Sequence, residues 1–155
     1  MKTLLTILVL VCLSYADSIP KYYDSYRLLS QVVDKCNKFV TFMHEREYEV
    51  VKMDYDLANE QYIKQSVKYM SAEYSYLIYG FTSPERAKLL KLTIYSYDEN
   101  KIPIRIEEST YLDNGNCNII FSPKKSTDYI IAVEVEMKQE YAGTAVPYMI
   151  VMAHP

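Results

Sequence analysis

The 155-residue sequence has no tryptophan, only two histidines and only three cysteines. Two histidines and the cysteines cannot supply a convincing zinc site. The segment 44–48 begins like the metalloprotease pattern H-E-x-x-H, but Tyr48 occupies the position of the second histidine. Neither His44 nor His154 lies beside a nucleophile motif. We therefore expect no metal, no cofactor and no catalytic residues, and predict that the protein is not an enzyme.

Basic residues are neither abundant nor clustered. The 17 lysines and arginines are outnumbered by 20 aspartates and glutamates, which gives a formal charge of −3. Nucleic-acid-binding domains normally show a basic stripe, and none is visible here. Beyond the first residues, no apolar run approaches the ~20 residues that a membrane helix needs. We expect neither nucleic acid as a partner nor a membrane span.

The first sixteen residues have the pattern of an export signal. Lys2 provides a positive charge, Leu4 to Leu13 form an apolar core, and Ser14-Tyr15-Ala16 fits a small-x-small cleavage site. The pattern predicts cleavage after Ala16 and a mature protein, secreted or periplasmic, that begins at Asp17.

The segment 17–46 is predicted to be a helix belonging to the same domain as the rest of the chain. Apolar residues recur there at steps of four and three, which is the spacing of one helix face. The members of this stripe are Tyr22, Tyr26, Leu29, Val33, Cys36, Val40 and Met43. The stripe must pack against another element.

Residues 47–155 alternate between apolar and polar side chains in about eight short segments, which is the pattern of β-strands. Clear examples are Leu90, Leu92 and Ile94 against Lys91 and Thr93. Many short strands at regular spacing predict an all-β antiparallel sandwich of jelly-roll type, in a single domain with the helix packed on it. A proline cannot donate to a ladder, so Pro103 predicts an edge strand.

Cys36 and Cys117 remain after cleavage of the signal. An exported protein with an even number of cysteines often forms a disulfide, and Cys36 lies on the apolar stripe of the helix. The alternative is that both are ordinary buried thiols, because only geometry decides whether two cysteines meet.

Seventeen tyrosines are an unusual number for a chain of this length. Tyr95 and Tyr97 alternate with a predicted core face, and Tyr74 and Tyr76 are spaced in the same way. If exposed, these four rings form a platform for a protein or glycan partner. If the helix covers them, they are core residues, and the lack of tryptophan also counts against sugar binding.

Two predicted hairpin tips are rich in oxygen ligands, at residues 98–100 and 113–116. Calcium accepts such ligands, but aspartate and asparagine are also preferred in turns for backbone reasons. Neither tip has the spacing of an EF-hand, so we expect turns.

The stretch from Leu89 to Val135 resembles the bacterial pre-peptidase C-terminal type of secreted β-sandwich domain. The resemblance rests on a hairpin at Tyr97-Asp98, an F-x-P corner at 121–123 and a strand that begins at Tyr129. The chain departs from the family pattern at Asn100-Lys101, where the family usually has Asn-Gly. The resemblance implies a non-catalytic appendage that binds, stabilises or targets.

We therefore expect an exported, non-catalytic binding or interaction module whose ligand is unidentified. The alternative is a secreted or periplasmic inhibitor or chaperone-like factor for a secreted hydrolase. An inhibitor needs an exposed rigid loop, and the segment 139–144 is the candidate for it.

Overall fold

The computed structural model describes residues 19–59, 61–111 and 114–155. The predicted export signal and the predicted new N-terminus at Asp17 lie outside these residues. The described residues form helix α1 and eight strands, with a short 3₁₀ turn at Gln139–Tyr141 before the last strand. Their bounds are α1 Ile19–His44, β1 Glu49–Asn59, β2 Gln61–Met70, β3 Tyr76–Thr82, β4 Ala87–Tyr97, β5 Pro103–Tyr111, β6 Asn116–Phe121, β7 Thr127–Met137 and β8 Ala145–His154.

The strands form two four-stranded antiparallel sheets. Sheet A has the order β1-β8-β3-β6, and sheet B has the order β2-β7-β4-β5. The chain crosses between the sheets at every connection except the β4–β5 hairpin, which is the connectivity of an eight-stranded jelly roll. The predicted all-β sandwich with one helix is confirmed. The prediction that Pro103 begins an edge strand is also confirmed, because β5 ends sheet B.

The main core lies between the two sheets and follows from the period-two pattern of the central strands. Leu90, Leu92 and Ile94 of β4 are fully buried, as their alternation predicts. They belong to one cluster with inward-facing residues of β7 and β8 such as Ile131 and Met152. Central strands with one apolar face therefore place that face inward.

Helix α1 packs on the outer face of sheet A and forms a second, smaller core. Val32 and Cys36 are buried there against Phe81, Met149 and Val151. The Phe39 ring lies 4.5 Å from that of Tyr79 and 5.6 Å from that of Phe81. The helix covers sheet A and leaves the outer face of sheet B uncovered.

The predicted stripe of α1 is correct at Cys36 and Met43, which are buried, and is off by one position nearer the N-terminus. Leu28 is buried there while Leu29 is only half-buried, and Tyr26 is 72% exposed. Successive residues differ by about 100° around a helix, so a stripe centred on Leu29 instead of Leu28 points to its flank. Tyr26 matched the spacing of the stripe but not its orientation.

Ion pairs attach the N-terminal part of α1 to the turn between β3 and β4. The Arg27 guanidinium donates two hydrogen bonds to Glu85, at 2.9 and 2.7 Å, and these bonds hold the pKa of the Glu85 carboxyl below its ordinary value. Arg86, which is buried, reaches Asp24 Oδ2 at 3.2 Å. The two pairs fix the direction in which the helix crosses sheet A.

The predicted disulfide between Cys36 and Cys117 is wrong, because both thiols are free and buried. Cys36 faces the core between helix and sheet, while Cys117 of β6 faces the core between the two sheets. Sheet A separates them. Burial raises the pKa of Cys117 to about 12, so its thiol is inert at neutral pH.

Strands β1 and β2 turn their charged faces inward, contrary to the usual arrangement. Met53, Tyr55 and Leu57 of β1 point to solvent, as do Ile63 and Val67 of β2. The side chains between them form what we call the ion cluster: Lys52, Asp54, Asp56 and Lys64.

The ion cluster joins the edges of the two sheets. Lys64 Nζ lies 3.0 Å from Asp56 Oδ2, and the Tyr62 hydroxyl donates to the same carboxylate at 2.9 Å. Lys52 donates to Ser66 Oγ at 2.8 Å across the sheets. The cluster borders a cavity of about 10 Å³, which is the size of one water. Inward-pointing charges on edge strands also discourage strand addition from other chains.

The ion cluster makes the stability depend on pH in a defined direction. The hydrogen bond from Lys64 lowers the pKa of Asp56 below its ordinary 3.8, so the stabilisation is present above that pH and is lost as the pH falls through the lowered value. We expect Asp56→Asn to unfold at lower urea than the natural protein at neutral pH, and the difference to begin to shrink only as the pH falls below about 4, disappearing below the lowered pKa of Asp56. A difference in urea midpoint that stays constant down to acid pH would contradict this role.

Candidate binding groove

The two sides of the sandwich are closed differently. On the β1–β2 side the ion cluster bridges the sheets, whereas on the opposite side the edges of β5 and β6 leave a groove of about 610 Å³. Pockets that hold small ligands have volumes of this order. We call this feature the β5–β6 groove.

The floor of the groove is aromatic. Phe121 ends β6 and Tyr129 lies near the start of β7, and both side chains point between the sheets. Their rings meet edge to face with centroids 5.1 Å apart. The pair is held rigidly in the core, and its small exposed surface, 7% of Phe121 and 5% of Tyr129, is the aromatic part of the floor. These are the residues of the F-x-P corner and the following strand that carry the family resemblance.

The walls are two isoleucines from the facing edge strands. Ile120 of β6 is 72% exposed, and Ile106 of β5 is also exposed. Tyr95 pairs with Arg105 and Ile94 pairs with Glu107, so Ile106 is the extra residue of a β-bulge. Bulges change the direction of a side chain at a sheet edge, and this one lines the groove with Ile106 and Glu107.

The loop 122–126 forms the rim, and hydrogen bonds hold it in place. The Tyr129 hydroxyl donates to the Lys125 carbonyl oxygen at 3.0 Å. Ser122 Oγ lies 2.7 Å from Ser75 Oγ, and Ser126 Oγ accepts from the Ala72 amide at 2.9 Å. The loop therefore presents its side chains from a fixed backbone.

Lys124 and Lys125 carry the positive charge of this rim. Both are exposed, and neither forms an ion pair with any residue in the described ranges. Among the described residues, the one acid in the lining of the groove is Glu107, on the β5 wall. A second recess of about 370 Å³ adjoins the groove at Ser96 and is lined by Tyr97 and Lys101.

The four tyrosines predicted as a platform do not share a surface. Tyr76 is 5% exposed and belongs to the core between the sheets, where its hydroxyl accepts from the Ser71 amide. Tyr74 is exposed beside β3 of sheet A and stacks on the His154 ring at 4.2 Å. Tyr95 and Tyr97 lie on β4 of sheet B, which α1 does not cover. Only Tyr97 borders the groove system.

The Asp98 side chain, in the first oxygen-rich tip, stabilises the backbone of its own turn. Asp98 Oδ1 accepts from the amides of Asn100 and Ile102, at 2.9 and 2.7 Å. Asp113 of the other tip lies outside the described residues. Among the residues that the structure describes, no group of three or more histidine, cysteine, aspartate or glutamate side chains could hold a metal ion. Within those same ranges, no helix is long and apolar enough to cross a bilayer.

The segment 139–144, the candidate for an inhibitory loop, packs against the body of the domain. Tyr141 is packed on the main core, and the Arg86 guanidinium lies 5.4 Å from the centre of its ring. The Lys138 amide also donates to the Arg86 carbonyl oxygen at 2.8 Å. The rest of the segment is largely exposed, so the inhibitory role of 139–144 stays a prediction.

Comparison with known proteins gives only distant similarity of fold. No protein-family model and no curated protein matches the chain. Among solved structures, PirA aligns with a TM-score of 0.44 and 6% identity, over 68% of this chain and 96% of PirA. A protein from Sulfurospirillum deleyianum aligns at 0.39 with 14% identity, over 64% and 96% of the two chains. The xylan-binding domain of Xyn10C from Paenibacillus barcinonensis aligns at 0.35 with 12% identity, over 69% and 85%.

The sequence analysis did not identify the groove. Ile102, Ile104 and Ile106 alternate in the sequence with Pro103 and Arg105, and these isoleucines are exposed in the structure. Lys124 and Lys125 lie in a short polar segment between two strands, which is typical of a turn. The missing signal was the bulge at Ile106, which has no sequence signature of its own.

Proposed function

We propose that this chain is an exported, non-catalytic binding module that takes an amphipathic anion into the β5–β6 groove. The ligand has an apolar body and a terminal anionic group. The observation that carries the proposal is the groove itself, with its aromatic floor, isoleucine walls and lysine rim. Export is supported by the signal pattern of the first sixteen residues.

Charge and shape together define the ligand class. The floor and walls bury apolar area, which supplies the affinity, while a few polar groups set orientation. Lys124 and Lys125 against Glu107 give the described part of the lining a net charge of +1, within a chain of charge −3. An anionic head placed at the lysines leaves the apolar body over Phe121 and Tyr129.

Two dyes of nearly the same shape test both parts of the proposal. Phenylnaphthylamine is neutral and apolar, and anilinonaphthalene sulfonate adds one anionic group to the same ring system. We expect both to bind the folded mature protein with enhanced fluorescence, and the sulfonate to bind more tightly. Urea unfolding of each variant is the control that the dyes report the native groove, since partly folded states also bind such dyes.

Three variants then assign the binding to residues. Ile120→Glu should weaken both dyes by about tenfold or more, because it places a charge against the apolar body. Lys124→Gln with Lys125→Gln should weaken only the sulfonate, by about threefold, and Glu107→Gln should strengthen it by a similar factor. Ile63→Glu is the matched control, because it makes the same change at an exposed isoleucine on the opposite side of the sandwich.

Two results would each overturn part of the proposal. If Ile120→Glu and Ile63→Glu have the same effect, the groove is not the binding site. If the lysine variant binds the sulfonate as the natural protein does, the groove binds apolar ligands without selecting anions.

A further inference from the structure

The four edge strands of the two sheets are not equally protected against pairing with another chain. Strands β1 and β2 point the charges of the ion cluster inward, and β6 has only six residues. Strand β5 has nine residues and exposes Ile104 and Ile106, but Pro103, the bulge at Ile106 and the charges of β5 exclude most added strands. This edge therefore accepts only a strand with the same bulge and complementary charges.

The charges on β5 restrict which strand can be added. Arg105 pairs in register with Tyr95 and Glu108 with Thr93, residues that both lie on the outer face of sheet B. The side chains of Arg105 and Glu108 are 63% and 35% exposed. An added strand must place an acid opposite Arg105 and a base opposite Glu108, because like charges directly opposite each other are destabilising.

We propose that two copies of this chain pair β5 with β5 in antiparallel orientation around a two-fold axis. With Arg105 opposite Glu108 of the second copy, the symmetry places Glu108 opposite Arg105 of the second copy. Both contacts join opposite charges, and each residue meets a partner on its own face of the sheet. The pairing makes sheet B continuous across the two molecules.

The details of β5 fit this alignment. Ile104 then lies opposite Ser109, on the side of the sheet that faces the core, since the β4 partner of Ser109 is the buried Leu92. Pro103 is the first residue of the strand, where the missing amide interrupts no interior ladder bond. In the single molecule Arg105 Nη1 lies 3.1 Å from Glu108 Oε2 in an exposed ion pair. On dimerisation the two intermolecular ion pairs replace it.

Reciprocal charge reversal tests the dimer with the full mature chain. Sedimentation velocity of the natural protein over roughly a hundredfold concentration range should show a reversible monomer–dimer equilibrium. Arg105→Glu alone and Glu108→Arg alone should each weaken association by about tenfold or more, because like charges then face each other twice. An equimolar mixture of these two single variants should dimerise again, since each interface contact once more joins opposite charges.

A control and two outcomes make the test decisive. Glu99→Arg changes the charge by the same amount at the exposed tip of the β4–β5 hairpin and should leave association unchanged. If the natural protein remains a monomer at every concentration, the proposal is wrong. If both single variants still dimerise, or their mixture does not, any dimer uses another surface.

Discussion

Gly115→Ala is expected to destabilise the protein by about 2–5 kcal/mol. Gly115 has φ of +79°, a left-handed conformation that costs an alanine roughly 1–2 kcal/mol. A Cβ there would also lie 2.5 Å from the Thr82 carbonyl oxygen and 2.9 Å from Pro84 Cδ. Such overpacking adds about 1–3 kcal/mol. Thr82 cannot move away freely, because its amide donates to the Gly115 carbonyl oxygen at 2.7 Å.

Gly143→Ala separates the two causes. Gly143 has a nearly identical φ of +78°, but a Cβ there would meet no atom within 4 Å. We expect only the conformational penalty, about 1–2 kcal/mol, in urea unfolding at neutral pH. If the two variants lose the same free energy of unfolding, the contact of the added Cβ with Thr82 and Pro84 does not destabilise the protein.

Leu28→Ala should cost about 3 kcal/mol of unfolding free energy, because Leu28 has no exposed surface beneath α1 and its removal leaves a cavity. The neighbouring Leu29→Ala makes the same chemical change at a half-buried position and should cost about 1 kcal/mol. Urea unfolding of the pair therefore measures the orientation of the helix on sheet A.

If Leu29→Ala instead costs more unfolding free energy than Leu28→Ala, the helix buries the face that the spacing in the sequence predicted. Equal small losses would mean that α1 contributes little to the free energy of the domain. Far-ultraviolet circular dichroism of each variant shows whether the helix itself persists, and so distinguishes loss of packing from loss of helix.

The strands were predictable because backbone pairing and period-two burial are local properties of the chain. The faces of β4 were correct, since that strand lies at the centre of its sheet and only one face can be apolar. The faces of β1 could not be assigned, because an edge strand can bury charges that reach across to another strand. Asp56 is half-buried only because Lys64 and Tyr62 lie opposite it.

The candidate site was harder to predict than the fold, for a related reason. Tyr76 and Tyr97 are each preceded by Tyr-Ser in the sequence, yet one lies in the core and the other borders a recess. The burial of a tyrosine depends on which sheet its strand joins, and strand order is a long-range property. The predicted disulfide between Cys36 and Cys117 was wrong for the same reason. Whether a sheet lies between two cysteines is also a long-range property, and sheet A lies between these two.

The different closure of the two sides has a mechanical consequence. Among the described residues, ion pairs of the ion cluster cross between the edges of the two sheets on one side, and no ion pair does so between Ile106 and Ile120 on the other. Short connections nevertheless join the sheets on both sides, because β5 continues into β6 through residues 112–115 as β1 continues into β2 through residue 60. The groove can therefore fit occupants of different girth by moving exposed side chains such as Ile120, on a frame whose two sheets stay joined at both edges.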